Sequence, residues 1–241
     1  MPAPANSTYV TKEFPIVHQL DSRSFQNSKD GYWENLIPNI NKNQLTGDDE
    51  LSLVRRDGTA VLTAGTGTGT TRGFHHWKDQ QKLFICVGRD VNVYTTAGVF
   101  VTTFVNAVAA GTSDVGFCQY LTSTNTTSVI FTDGTTLSQV STAMALTVCA
   151  DADLPTPHLP IPVFFDGYLL LVKANTNDCY NSDLDLPLSW TPGNFISAEK
   201  NPDVLTGIST INDYFVLLGS ESIEFFYDAG NPTGTPFARN D

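Results

Sequence analysis

Basic residues are scarce in this chain, and the few present are scattered. Thirteen Lys and Arg stand against 25 Asp and Glu, for a net charge of −12. Arg55-Arg56 is the only adjacent basic pair. A protein that grips a nucleic-acid backbone clusters its cations to displace counterions, so this composition argues against tight phosphate binding. An acidic, solvated surface accounts for the balance. So does the wall of a lumen through which DNA must slide, where Lys and Arg would pair with phosphates and retard it.

Long apolar runs are also missing. None approaches the roughly 20 residues needed to cross a bilayer, so no membrane span is expected. The N-terminal MPAPANSTYVTKEF has neither a basic start nor an apolar core, so it is not a secretory signal, and synthesis in the cytosol as a soluble chain is expected. The four cysteines, Cys86, Cys118, Cys149 and Cys179, form no CxxC and no Cys-x-x-His spacing. They read as buried free thiols. His75 and His76 are adjacent and point to opposite faces of a strand, so no metal or cofactor site is expected.

Enzymatic signatures are equally thin. No Gly-x-Ser-x-Gly elbow exists to expose a nucleophile, so no catalytic residue is assigned. The Gly-Thr run over 59–73 lacks the Lys-Ser/Thr of a phosphate loop, and no helical pattern follows it; a flexible loop is expected. Two acidic readings stay open: a glycosidase pair drawn from Asp166, Asp178, Asp183 and Asp185, and a calcium loop at Asp178, Asp183 and Asp185. Acidic residues in β-turns are the plainer explanation.

What the chain does have is β pattern. Tyr214 to Leu218 is an apolar run of strand length, Gly219-Ser220 turns it, and Ile223, Phe225, Phe226 and Tyr227 form a second run. That hairpin recurs, with copies starting near residues 83, 128, 168 and 214, a period of roughly forty residues. Such a period of short strands marks propeller blades, each unable to bury its faces alone. The WD dipeptide and the kelch glycine pair are absent, and an ordinary β-sandwich is the competing architecture. The expected fold is therefore all-β and propeller-like, built from repeated antiparallel hairpins, and need not close within this chain. Residues 1–13 read as an extended arm, 14–73 as an N-terminal β segment with the Gly/Thr-rich loop, and 74–241 as the blades. Trp190-Thr191-Pro192 reads as an inter-blade connection with one buried aromatic.

Residues 219–230, GSESIEFFYDAG, followed by Pro232, Gly234, Pro236-Phe237 and Arg239, resemble the packaged-DNA stabilisation proteins of short-tailed bacteriophages, the tail hub or nozzle components. A weaker match covers Tyr32 to Pro38 and Leu53 to Gly58. The resemblance implies a β-propeller-like body in a homo-oligomeric ring, a hexamer. That ring sits in the virion between a portal-adaptor protein above and tail fibre, spike or needle proteins below. Double-stranded DNA passes through it without sequence-specific contact. Members run longer, with the signature near mid-chain, so the resemblance also implies a piece of a longer nozzle protein or a job divided between polypeptides.

Candidate subunit-contact residues are Tyr32 and Trp33 in the proline-cut apolar cluster, the Arg55-Arg56 pair, and Glu221, Glu224, Phe226 and Tyr227 on the last hairpin. The rival function is a carbohydrate-binding or glycosidase-like propeller, which would set Trp77, Trp190 or Tyr180 beside paired carboxylates in a central pocket.

Overall fold

The computed structural model describes residues 36–42, 49–55, 65–201 and 203–240, in two compact units, Met1–Val61 and Leu62–Asp241. In the first, β1 (Leu36–Lys42) pairs antiparallel with β2 (Asp49–Arg55), Leu36 opposite Arg55 and Lys42 opposite Asp49. Pro38 is tolerated because a strand of a two-stranded sheet has one unpaired edge.

The second unit is four antiparallel sheets of four strands, each strand hydrogen-bonded to the next in sequence. Blade 1 is β3 (Thr71–Trp77), β4 (Lys82–Val87), β5 (Asp90–Thr95) and β6 (Phe100–Phe104). Blade 2 is β7 (Gly116–Leu121), β8 (Thr127–Thr132), β9 (Leu137–Ser141) and β10 (Leu146–Val148). Blade 3 is β11 (Val163–Phe165), β12 (Tyr168–Val172), β13 (Asp178–Asp183) and β14 (Leu186–Ser197). Blade 4 is β15 (Leu205–Ile211), β16 (Tyr214–Gly219), β17 (Ile223–Asp228) and β18 (Phe237–Arg239). Consecutive blades meet through their first strands, β3 against β7, β7 against β11, and β11 against β15. Gly73 and Gly116 permit that approach: a Cβ on Gly73 would run into the Val115 carbonyl, and one on Gly116 into that of Pro160.

The repeat visible in the sequence begins one strand into each blade, at β4, β8, β12 and β16; β8 and β12 lie between two blades and are covered on both faces, while β4 keeps half-buried residues on one face and β16 at its ends. Double burial gives continuous apolar runs such as SVIFT and YLLLV. The first strands, for example TRGFHHW and LTGISTI, carry polar residues and escape notice.

Three apolar clusters lie between successive blades. Phe84, Cys86, Val91 and Val93 of blade 1 meet Val115, Val129, Phe131 and Val140 at blade 2. Tyr120, Ile130 and Leu137 of blade 2 meet Leu169 and Leu171 of blade 3. Leu170, Val172 and Cys179 of blade 3 meet Ile208, Phe215, Leu217 and Phe226 of blade 4. Phe215 is the hub of this last cluster, with its ring centroid 5.3 Å from Phe165, 5.2 Å from Phe226 and 5.0 Å from Phe237.

Polar contacts fasten each crossover over the turn between the second and third strands. Buried Arg72 donates to the carbonyls of Gly88, Ala109 and Ser113 at 2.9, 2.7 and 2.6 Å, tying the segment after β6 to blade 1. Asp133, in the blade 2 turn, accepts from the backbone of Ala109, Thr135 and Thr136. Burial pushes its carboxyl up, but these bonds outweigh it and hold it below the ordinary Asp value. His158 donates through Nδ1 to the Pro155 carbonyl at 2.7 Å and meets Thr132 through Nε2 at 2.6 Å. Asp203 accepts from the Glu221 and Ser222 amides across the blade 4 turn.

Two sequence expectations change. Trp190 is buried, but Trp190-Thr191-Pro192 lies within β14 and not between blades. The register passes from Tyr180 opposite Phe195 to Ser182 opposite Trp190, so the exposed residues Thr191 to Gly193 bulge out and Pro192 forfeits no ladder bond. In the Gly-Thr run, the described residues 65–70 are laid along blade 1 and do not dangle: Thr66 N donates to Asn92 Oδ1 at 2.9 Å, and Asn92 Nδ2 to the Thr66 carbonyl at 2.7 Å.

Phe215→Ala is expected to cost about 3–5 kcal/mol, because it empties the centre of a packed aromatic cluster. Phe225→Ala, on the opposite face of the same sheet, is expected to cost less than about 1 kcal/mol in the unassociated chain. Urea unfolding of both variants checks this, and equal losses would contradict the assignment of the two faces.

Candidate functional site

Alternate turns of an antiparallel meander lie at opposite ends of the blade, so the turns joining first to second and third to fourth strands gather away from the crossovers. Three of them are two-residue turns: Asp166-Gly167, Leu184-Asp185 and Asn212-Asp213. Asp166, Asp185 and Asn212 adopt positive φ of 46°, 61° and 51°. Asp and Asn tolerate this left-handed backbone better than other side chains, so the turn geometry itself favours Asp or Asn here. They line a cavity of about 930 Å³ together with Tyr227 and Asp228, and none of the lining residues is basic.

Within this mouth, Asp185 of blade 3 accepts from the Ser123 amide at 2.8 Å and from its hydroxyl, linking blades 2 and 3. Tyr120 donates to the Gly167 carbonyl at 2.5 Å. The Asp166 carboxyl is raised above the ordinary Asp value, first by burial and then by a hydrogen bond and like charge from Asp228. Blades 3 and 4 therefore face each other here through two carboxyls within hydrogen-bonding reach. Asp178 and Asp183, the other members of the sequence-suggested acidic set, are engaged by hydroxyls of their own blade, Ser197 for Asp178 and Ser189 and Thr191 for Asp183. Asp228 was not in that set; it lies 62 residues from Asp166, and only the stacking of two blades joins them.

The second feature is the far face of blade 4. Along β17, Glu224 and Phe226 point inward while Ile223, Phe225 and Tyr227 are 61%, 40% and 38% exposed. This corrects two subunit-contact expectations. Glu224 is buried, accepts from the Lys200 amide at 2.9 Å and pairs with Arg239 at 3.6 Å, and Phe226 belongs to the core between blades 3 and 4. Glu221 is exposed in its turn, and Tyr227 stays at the surface. Arg55 ends β2 opposite Leu36. Tyr32, Trp33, Arg56 and the arm over 1–13 lie outside the described residues.

The aromatics invoked for a sugar site are differently placed. Trp77 and Trp190 are buried, and Tyr180 stacks on Phe195 with centroids 5.1 Å apart. His75 stacks on Phe117 at 6.0 Å, while His76 is exposed on the other face. All four cysteines are free, and burial pushes the Cys86 thiol up to about 11 and Cys118 to about 12.

A family model described as "Bacteriophage P22 Gp10, beta-propeller" matches residues 26–241. No curated protein matches. Among solved structures, a virginiamycin B lyase from Staphylococcus aureus is similar at 11% identity and TM-score 0.48, over 86% of this chain and 63% of the lyase, so the chain spans less than two thirds of it. The Neurospora crassa Pan2 WD40 domain is similar at 13% identity and TM-score 0.42, over 65% of this chain and 48% of that one. The Chaetomium thermophilum polycomb repressive complex 2 gives 16% identity and TM-score 0.47, over 83% and 45%.

The raised Asp166 carboxyl has a signed consequence. The folded chain binds its proton more readily than the unfolded chain, so stability falls as pH rises from the ordinary carboxylate value through the raised one, and the penalty is absent below that window. Asp166→Asn keeps a residue suited to positive φ and removes the repulsion. Its melting temperature is expected to exceed that of the parent at neutral pH, with the difference shrinking in acid; a variant less stable at pH 7 would contradict the pairing.

Proposed function

Because the chain belongs to the phage-stabilisation family of bacteriophage P22 Gp10, with its β-propeller fold, we propose that this packaged-DNA stabilisation protein is a structural subunit of a short tail, forming part of the tail hub or nozzle. The subunits make a homo-oligomeric ring, a hexamer, between a portal adaptor and the fibre, spike or needle proteins. DNA is held behind it and leaves through it on ejection. The protein is made in the host cytoplasm and built into the virion without catalytic activity or cofactor.

The observation that carries this reading beyond family membership is the acidic mouth. Its lining presents Asp166, Asp185 and Asp213 from turns and Asp228 from the end of β17, with no basic residue. A surface of that charge repels phosphates, which suits a conduit that must pass DNA without retaining it. The open apolar face of blade 4 supports assembly, since an exposed patch of this kind marks a contact surface.

The sugar-site reading has one observation on its side, the facing carboxyls of Asp166 and Asp228. Hydrolytic pairs stand about 5 Å or more apart to admit a sugar or water between them. These two lie close enough to share a hydrogen bond, and turn geometry explains the presence of Asp166.

Phage particles assembled without this protein are expected to package DNA and then lose it, so that their genomes become nuclease-sensitive, while complete particles carry the protein at a fixed ratio to portal. Particles that keep their DNA equally well without it would overturn the proposal.

A further inference from the structure

The sequence holds four Asp-Gly pairs, of which Asp133-Gly134 and Asp166-Gly167 fall among the described residues. Glycine has no Cβ, so its amide nitrogen stands open to the side chain before it. In an Asp-Gly pair that nitrogen can attack the carboxyl, provided both groups are free to meet. The two pairs differ on that condition.

In blade 2 the reaction is blocked from both sides. Asp133 is buried, and its Oδ1 accepts from the Thr135 and Thr136 amides at 2.9 and 2.8 Å and its Oδ2 from the Ala109 amide at 2.6 Å. The Gly134 amide is itself engaged, donating to Thr132 Oγ1 at 3.1 Å. In blade 3 neither restraint exists. Asp166 is exposed in the two-residue turn between β11 and β12, where it and Gly167 have φ of 46° and 82°. Among the described residues none accepts a hydrogen bond from the Gly167 amide, and the group facing the Asp166 carboxyl is a second acid, Asp228. The same turn joins three blades. The Gly167 carbonyl accepts from the Tyr120 hydroxyl of blade 2 and from the Asp185 amide of blade 3, while Asp166 faces blade 4.

We propose that Asp166-Gly167 is a site of spontaneous isoaspartate formation, through which the junction of blades 2, 3 and 4 loosens with age. The Gly167 nitrogen attacks Asp166 Cγ, a new N–C bond closes a succinimide ring, and the carboxyl OH leaves with the amide proton as water. Water then adds to one of the two imide carbonyls. Opening at Cγ restores aspartate; opening at the α-carbonyl leaves the backbone running through Cβ and Cγ, with the α-carboxylate free. One water is released and one consumed, so no oxidant or other reactant is needed. Ring closure proceeds through the protonated carboxyl, which loses water and not hydroxide. Burial, and then Asp228, raise the Asp166 carboxyl and enlarge its protonated share near neutral pH, whereas at Asp133 burial is outweighed by hydrogen bonds that keep the carboxylate ionised. Isoaspartate lengthens the backbone of the turn by one methylene and displaces the Gly167 carbonyl from Tyr120 and Asp185. The proposal rests on the construction of this turn and not on the tail role.

The test stores the folded full chain near neutral pH with gentle warming, digests it, and locates isoaspartate by electron-transfer fragmentation, which separates the two isomers at equal mass. The same chain held in urea is the control, and there both pairs are expected to isomerise. In the folded chain isoaspartate is expected to accumulate at 166 and not at 133, and the stored chain to melt below the fresh one. Asp166→Ser lacks the carboxyl and is expected to keep its own melting temperature through the same storage. Equal reaction at 133 and 166 in the folded chain, or reaction at 166 in urea alone, would overturn the proposal. A stored chain that carries isoaspartate at 166 yet melts like the fresh one would overturn the loosening of the junction.

Discussion

A four-stranded blade has two faces, and in this chain both are apolar. No single blade can remove them from water, so the structure rests on face-to-face stacking between successive blades. The second strands of blades 2 and 3, covered on both sides, are buried almost throughout. The first strands come close enough to require glycine at positions 73 and 116. The crossovers then run over the turns between second and third strands, where Arg72, Asp133, His158 and Asp203 anchor them through hydrogen bonds. Among the described residues, blade 4 exposes Ile223 and Phe225 and blade 1 exposes Phe74.

The acidic mouth follows from the same architecture. Two-residue turns between strands require positive φ, which favours Gly, Asn and Asp, and repeating the blade repeats the turn at one end of the stack. Asp166 and Asp185 are there partly because the chain must reverse direction, and Asp213 follows Asn212 in the third turn. Their summed charge gives that end its electrostatic character. Fold and proposed function thus draw on the same residues.

Much of this was legible in the sequence, for reasons that can be named. The hairpins at β4–β5, β8–β9, β12–β13 and β16–β17 stood out because their second strands are apolar runs, buried on both faces in β8 and β12. The first strands did not, since half of each faces solvent or a polar crossover. β14 was hidden by Pro192, whose place in a bulge no local pattern reveals. Glu224 stood among the candidate subunit contacts, although its i+2 neighbour Phe226 shares its side of β17; alternation along the strand places both inward. The contact of Asp166 with Asp228 depends on the stacking of two blades and has no signature along the chain.

The most direct test of this stacked architecture, and of the proposal that assembly covers the exposed face of blade 4, is hydroxyl-radical footprinting of β17 in the free chain and in the assembled particle. Ile223, Phe225 and Tyr227 are expected to label in the dilute chain and to be protected in the particle, while Phe215 and Phe226 stay protected in both. Equal labelling of the three outward residues in both states would contradict the claim that assembly covers this face, and labelling of Phe215 in the free chain would contradict the stacking itself.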